Sequence, residues 1–369
     1  MIRRVYINNY RNLVNFELRP GELTLLLGGN GSGKSSVLDV LYAIREVLSG
    51  TMLVSDPRAF SPQTLTRWHS DPLQAFELEV ELGAAGPLTY RLEVEHDRDR
   101  GLSRVALERL SAPGGTLVEF ERGTVRLFRD DHRAGPEFTS NWSESWLARF
   151  TGNRDNPRPT VFLNFIRRMV VCRLHPAAIR AESRGEEPTL TRDGANFAAW
   201  YRGKVQEQPD VVAEFMESAK QVIEGLQWMR LEAVGKDARA LTLAFDYHGA
   251  QYKLNFDELS DGQRALIVLY AVLHFAGEDG YTLLLDEPDN FIALPELQPW
   301  LMALADSCGE AVAQAIVCSH HPEPIDYLGA EHGVLLDRDS TGPVKVRPIA
   351  ERAGDALKLS EIIARGWEK

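Results

Sequence analysis

Residues 28–36 read Gly28-Gly29-Asn30-Gly31-Ser32-Gly33-Lys34-Ser35-Ser36, and this stretch decides the fold. It matches the pattern GxxxxGK[ST], in which glycines let the backbone wrap closely around phosphate oxygens while successive N–H groups point inward at them. Lys34 is of the right type and spacing to reach the terminal phosphates, and Ser35 to ligate Mg²⁺ at a helix N-terminus. Asn30, Gly31, Ser32, Gly33 and Ser36 complete the cradle. Before it, residues 22–27 (ELTLLL) form a short apolar run. After it, Val37, Val40, Leu41, Ile44, Val47 and Leu48 recur at helical spacing, with Gly50 as a stop. Strand, glycine-rich turn and helix open an α/β unit, a context that weighs against a turn without nucleotide.

Three further segments narrow the class. In YTLLLDEP (281–288) an apolar strand carries Asp286 to its end, suited to Mg²⁺, with Glu287 next to orient or deprotonate an attacking water. An acidic turn closing a core strand is the plain alternative. Leu259-Ser260-Asp261-Gly262-Gln263 stands directly before a nearly all-apolar helix at 265–276. Ser260 or Asp261 is a good N-cap, and Gly262 admits a phosphate close to the helix terminus; a simple helix cap would look the same. Ser319-His320-His321-Pro322 follows the strand AIVC and offers a side chain that senses a terminal phosphate. Cys308, Cys318, His320 and His321 could instead suggest zinc, but C-x9-C-x-H-H fits no structural-zinc spacing.

The chain of 369 residues is 44% hydrophobic and 25% charged, ample for a buried core without staples and sufficient for two or three lobes. Its 41 Lys and Arg against 53 Asp and Glu give a net charge of −12, so any nucleic-acid contact needs a local basic patch. Three cysteines without CxxC spacing favour a reducing compartment. The start MIRRVYINNYRN lacks a signal-like apolar run, and the longest apolar stretch, Ala265 to Gly277, has 13 residues, short of the roughly 20 that span a bilayer. A cytoplasmic protein without membrane contact is expected. Residues 74–130 alternate in short segments broken by Gly or Pro and predict an antiparallel meander. Helices are expected in SESWLARF (143–150), VFLNFIRRMVV (161–171) and 210–226, strands at 240–246 and 251–256, and a helix near 296–306.

The four motifs in this order resemble the ATP-binding-cassette (ABC) ATPase head, and more narrowly its SMC/RecF/OLD branch. GGNGSGKSS is similar to the Walker A loop, LSDGQ to the signature motif, TLLLDEP to Walker B and SHHPE to the switch-histidine segment. The opening IxNYRNL resembles the start of RecF-like heads. DEPDNF, SHHPEPID and DGANFAAWY (193–201) are similar to AAA-type ATPases related to OLD proteins. The resemblance implies an α/β P-loop NTPase of the ABC-head type, with an antiparallel β-subdomain, a helical subdomain and no long coiled coil. It places the ATPase core at 1–50 and 255–369, the β-meander at 51–140, and the helical subdomain at 141–254. It implies ATP and Mg²⁺ as cofactors, and hydrolysis that is slow without partner or DNA. Two heads would pair head to tail as a homodimer around two ATP molecules, Ser260, Gly262 and Gln263 of each capping the other's γ-phosphate. Glu287 would be catalytic, His320 the switch residue (it directly follows Ser319), Ser35 and Asp286 the Mg²⁺ ligands, and Arg11 would approach the nucleotide.

Departures from the family pattern are specific. DNFIALPEL after Walker B has no SALD-like D-loop. No Q-loop glutamine can be placed: Gln63 comes early, and VVCRLHPAAIR offers His175 instead. About 80 residues follow Walker B and are taken by the head, so a fused Toprim nuclease is not expected. Within 151–180, Arg154, Arg158, Arg167, Arg168, Arg173 and Arg180 face one acid, Asp155. They could follow a phosphate backbone, or form a solvated or ion-paired face. The expected function is an ATP-dependent switch acting on DNA or on a separately encoded nuclease or toxin effector, in DNA maintenance or phage defence. An ATP-bound scaffold holding a partner inactive and a soluble transporter subunit are the alternatives. No motif that reads the nucleotide base is present.

Overall fold

The computed structural model describes residues 1–152, 156–277, 280–338, 341–349 and 358–364. Arg154 lies outside the described residues. The chain opens with β1 (Ile2–Asn8), β2 (Phe16–Leu18), β3 (Leu23–Leu27) and α1 (Lys34–Ser49), followed by a meander of β4 (Leu73–Glu81), β5 (Pro87–Asp97), β6 (Leu102–Ala112), β7 (Gly115–Glu121), β8 (Thr124–Phe128) and β9 (Ala134–Thr139). Next come α2 (Pro157–Arg167), β10 (Met169–Cys172), β11 (Glu182–Ser183), α3 (Phe197–Glu207), α4 (Pro209–Val222), β12 (Leu226–Val234), β13 (Ala238–Tyr247) and β14 (Ala250–Asn255). The last third holds α5 (Asp261–Gly277), β15 (Thr282–Asp286), α6 (Leu294–Ser307), β16 (Gln314–Cys318), α7 (Pro322–His332), β17 (Gly333–Arg338), β18 (Val344–Pro348) and α8 (Leu359–Ala364).

Two compact units result. The first holds Met1–Met169 and His332–Glu351; the second holds Val170–Glu331 and Arg352–Lys369. In the first, eight antiparallel strands run in the order β2-β1-β4-β5-β6-β7-β8-β9. β5 alternates buried and half-buried positions along its length, the period-2 pattern of a sheet with one face on the core. β1 therefore joins the meander, pairing with β4 from Ile2↔Val80 to Asn8↔Ala75. β3 behaves differently. All five residues of LTLLL are buried, as expected of a strand covered on both faces, and it pairs in parallel with β17. Phe60, Phe76, Tyr90, Phe120 and Phe162 fill this unit's core.

In the second unit, β15 (TLLLD) and β16 (QAIVC) are equally buried and pair in parallel from Thr282↔Gln314 to Asp286↔Cys318. A small antiparallel sheet has β13 at its centre, with β12 on one edge and β11 and β14 on the other. Its core gathers Phe197, Tyr201, Phe215 and Phe275, with ring centroids about 6 Å apart. α5, at 17 residues, is the longest helix among the described residues, and none of these helices is long and apolar enough to cross a membrane.

Two segments differ from the sequence expectation. SESWLARF forms a single 3-10 turn, Leu147–Arg149, rather than a helix. The fully buried carboxylate of Glu108 on β6 accepts the N–H groups of Trp146 and Leu147 and the hydroxyls of Ser145 and Tyr90, pinning that stretch to the sheet. In VFLNFIRRMVV the helix stops at Arg167 and Met169–Cys172 is the strand β10; an apolar run that short suits a buried strand as well as a helix. The 141–254 stretch thus holds α2, α3 and α4 together with the strands β10–β14.

Candidate functional site

In the first unit the phosphate loop follows β3, and its glycines are demanded by space. Gly28 has φ +141°, and a Cβ there would lie 2.4 Å from the Leu336 carbonyl oxygen and 2.7 Å from Ser32 Oγ. Gly33 caps α1 at φ +98°, hemmed by Leu13 and Val344, each 3.1 Å from where a Cβ would be. The first turn of α1 carries no acidic residue, so the amide groups at its start meet no competing side-chain charge. Lys34 is buried, and its Nζ donates to the carbonyls of Gly28 at 2.6 Å and Gly29 at 3.3 Å. The ammonium therefore lies along the loop itself.

Arg11 comes from the turn after β1. It has φ +51° and stacks over Tyr10 at 5.1 Å. Its Nη1 donates to Asp39 Oδ2 at 2.6 Å and Ser36 Oγ at 3.5 Å, which sets it beside the start of α1. Next to it, Asn12 Nδ2 donates to the Gly31 carbonyl at 2.7 Å. A buried relay holds this turn. Gln74 Nε2 donates to Asn9 O at 2.9 Å and Thr64 Oγ1 at 3.0 Å, while its Oε1 is 2.9 Å from His96 Nε2. His96 Nδ1 in turn meets Ser103 Oγ at 2.9 Å. One tautomer satisfies the chain: Nε2–H donates to Gln74, and Nδ1 accepts from Ser103.

Burial pushes the His96 imidazole down from 6.5 to about 4. The unfolded chain binds its proton near pH 6.5, whereas the native one resists it until about pH 4. Its contribution is present above pH 6.5 and is lost as pH falls through that window, about 3 kcal/mol in all. Urea midpoints measured at pH 7 and pH 4.5 should show this loss, and His96→Gln, which does not titrate, should remove it.

In the second unit, the register of β15 and β16 ends on Asp286↔Cys318, so Glu287 and Ser319-His320 leave neighbouring strand ends. His320 Nδ1 is 3.3 Å from Glu287 Oε1, and Asn290 Nδ2 donates to Glu287 Oε2 at 2.9 Å. Glu287 has φ +53°, a left-handed conformation costly for a non-glycine residue and concentrated at functional sites; its N–H donates to Cys318 O at 2.8 Å. The Asp286 side chain is fully buried, with Arg192 Nη2 at 3.4 Å and Arg173 Nε at 3.7 Å from its Oδ2. A buried carboxylate of this kind requires cationic company. His321 is engaged locally, its Nδ1 accepting the Glu323 N–H at 3.2 Å at the start of α7. Burial raises the pKa of Asp289, opposed by the Ser319 hydroxyl. The described residues hold no cluster of three His, Cys, Asp or Glu that could bind a metal.

Ser260 is the residue that caps α5. Its Oγ accepts the Gln263 N–H at 3.2 Å, and Gln263 Oε1 accepts the Ser260 N–H at 3.2 Å, a reciprocal capping box. Gly262 has a packing reason for its size, since a Cβ there would lie 2.6 Å from the Phe291 carbonyl oxygen.

Each unit thus gathers its own motif residues: Arg11 beside Ser36 in the first, Glu287 with His320 and Ser260 with Gln263 in the second. Of the arginine patch, Arg158 faces Asp130 at 3.7 Å and Arg173 faces Asp286; Arg167, Arg168 and Arg180 are exposed. Sequence reasoning missed Arg192, 94 residues from its partner Asp286, and Asn290. No periodicity or spacing connects such pairs.

The profile of the family described as "AAA domain, putative AbiEii toxin, Type IV TA system" matches residues 23–326. "Putative hemin import ATP-binding protein HrtA" of Staphylococcus aureus strain Newman is 40% identical over 50 residues, 14% of this chain and 23% of that protein. The match therefore spans about a quarter of that relative's length. The crystal structure of the SmcHead bound to the C-winged helix domain of ScpA superposes with a TM-score of 0.60 at 13% identity, covering 95% of this chain and 98% of that one. The Smc head domain with an extended coiled coil bound to the C-terminal domain of ScpA, derived from Pyrococcus furiosus, gives 0.53 at 13% identity, covering 100% and 99%. These likenesses are of fold. An ABC-type head fold, a Walker A loop with its lysine buried against it, and a profile match from β3 into α7 meet in one conclusion: the chain belongs to the AAA-domain family of AbiEii-toxin type.

Proposed function

We propose that this chain is an ATP-hydrolysing switch whose heads pair around ATP and pass that state to DNA or to a separate effector protein. The observation that carries the reading is Glu287, held at the end of β15 in a left-handed conformation between His320 and Asn290. A carboxylate oriented by two neighbours suits a group that positions and deprotonates water, and a histidine on its other side suits a sensor of the phosphate that water attacks. Lys34 and the loop amides would hold the β- and γ-phosphates. Ser35 would offer a hydroxyl and Asp286 a carboxylate, each a hard oxygen donor of the kind Mg²⁺ takes, and bound Mg²⁺ would neutralise charge developing on the phosphates. Ser260, Gly262 and Gln263 would present the start of α5 to the nucleotide of a second copy.

The effector is supported by the family description, which names a toxin of a type IV toxin–antitoxin system. The two Smc heads are each bound to a domain of a separate protein, ScpA. DNA contact would use the exposed Arg167, Arg168 and Arg180.

The test is ATP turnover with and without linear duplex DNA at low and moderate salt, beside a Lys34→Ala blank. Stimulation that fades with salt is the outcome expected of direct DNA contact, because counterion release makes phosphate binding salt-dependent. Turnover indifferent to DNA removes DNA from the proposal and leaves the protein effector. No turnover under any condition overturns the hydrolytic switch and favours a scaffold that binds ATP structurally.

A further inference from the structure

The phosphate loop accounts for a triphosphate and says nothing of the base attached to it. Beside the loop, within the first unit, stands Trp68, 42% exposed. Its segment is held at both ends by Asn9, which is fully buried. Asn9 Oδ1 accepts the Thr66 N–H at 3.2 Å, and its amide donates to Asp71 O at 2.9 Å and Leu73 O at 2.8 Å. The indole is therefore presented by an anchored loop.

Arg338 links Trp68 to the phosphate loop. It ends β17, whose parallel register with β3, Gly333↔Leu25 to Leu335↔Leu27, carries both strands to the same end of the sheet. The Leu336 carbonyl is the atom against which Gly28 must be glycine. Arg338 Nη1 lies 3.4 Å from the Gly31 carbonyl, and its Nε donates to Gly342 O at 3.0 Å. The guanidinium carbon sits 5.7 Å from the Trp68 ring centroid. The indole is thus one guanidinium away from the loop.

We propose that Trp68 and Arg338 form the platform that receives the purine base of the bound nucleotide. This rests on the ATP-binding reading above and adds the element that selects the nucleotide. An indole that is 42% exposed offers a base the π-surface that Arg338 does not cover, and the larger purine gains more from that contact than a pyrimidine. The guanidinium carries only donors, so it complements the ring-nitrogen acceptors on a purine edge. Arg338 also ties the base to the loop: the side chain that reaches Gly31 is the one that lies on Trp68, which couples base recognition to the geometry of the phosphate cradle.

Binding of ATP, CTP and inorganic tripolyphosphate to wild type, Trp68→Ala, Trp68→Phe and Arg338→Ala tests this. Trp68→Ala should weaken ATP about tenfold or more, leave tripolyphosphate unchanged, and erase the preference for ATP over CTP. Trp68→Phe should retain most of the ATP affinity, and Arg338→Ala should narrow the same preference. Unchanged ATP affinity in Trp68→Ala overturns the platform, as does an equal loss for ATP and tripolyphosphate, which would make Trp68 a prop of the loop. Wild-type protein that binds neither ATP nor tripolyphosphate would sink the ATP reading itself, a different failure.

Discussion

Glu287→Gln is expected to lower ATP turnover by about 10²–10⁴-fold, the usual worth of a positioned general base, while nucleotide affinity stays within a few-fold of wild type. The substitution removes a charge and a proton acceptor and keeps the shape. Asn290 Nδ2 can still donate to the remaining carbonyl oxygen, as it now does to Glu287 Oε2 at 2.9 Å. The left-handed turn at φ +53° depends on the backbone, through the N–H bond to Cys318 O, so the local fold should persist. ATP that binds and is not consumed would then hold paired heads together, and the variant should elute from a sizing column as an ATP-dependent dimer. Wild type, which turns the nucleotide over, should show less of it. Turnover within tenfold of wild type would take Glu287 out of the chemistry, and a variant that binds ATP yet stays monomeric would take away the pairing.

What the sequence made legible follows a physical line. The phosphate loop is contiguous, and its glycines answer local demands at Gly28 and Gly33 that the pattern already encodes. TLLLD and AIVC read as buried strands because both faces are covered, and the N-cap Ser260 stands only three positions before its partner Gln263. Each is a short-range fact. What escaped reading is long-range. Residues 143–150 carry helical spacing, yet Glu108, about 40 residues earlier, takes their N–H groups and leaves one 3-10 turn. β1 precedes the phosphate loop and looks like part of its α/β unit, but it pairs with β4 across more than 60 residues. Arg173 reads as one member of a basic patch, although its Nε lies 3.7 Å from the buried Asp286 Oδ2. The Gln74–His96–Ser103 relay and the Trp68–Arg338 stack join residues whose chain positions have no rhythm in common. Such pairs become visible only when the fold brings them together.

Lys34→Ala and Gly28→Ala should both abolish ATP capture, for reasons that a thermal melt separates. Lys34 donates to the carbonyls of Gly28 and Gly29, on a loop whose surface position lets both carbonyls turn to water when the side chain is truncated. The ligand-free melting temperature should therefore move little. The lost ammonium would have made charge-assisted bonds to phosphate, each worth about 1.5–3 kcal/mol, so ATP affinity should fall on the order of a hundredfold or more. The upward shift that saturating ATP–Mg²⁺ gives wild type should vanish. Gly28→Ala acts on the fold first. At φ +141° with the Leu336 carbonyl 2.4 Å from the new methyl, the loop must move off β17, which should lower the melting temperature before any nucleotide is added. A Lys34→Ala protein that keeps the ATP-induced shift would mean that the phosphates sit elsewhere. If Gly28→Ala matched wild type in both readings, the close packing of this loop against β17 would be wrong.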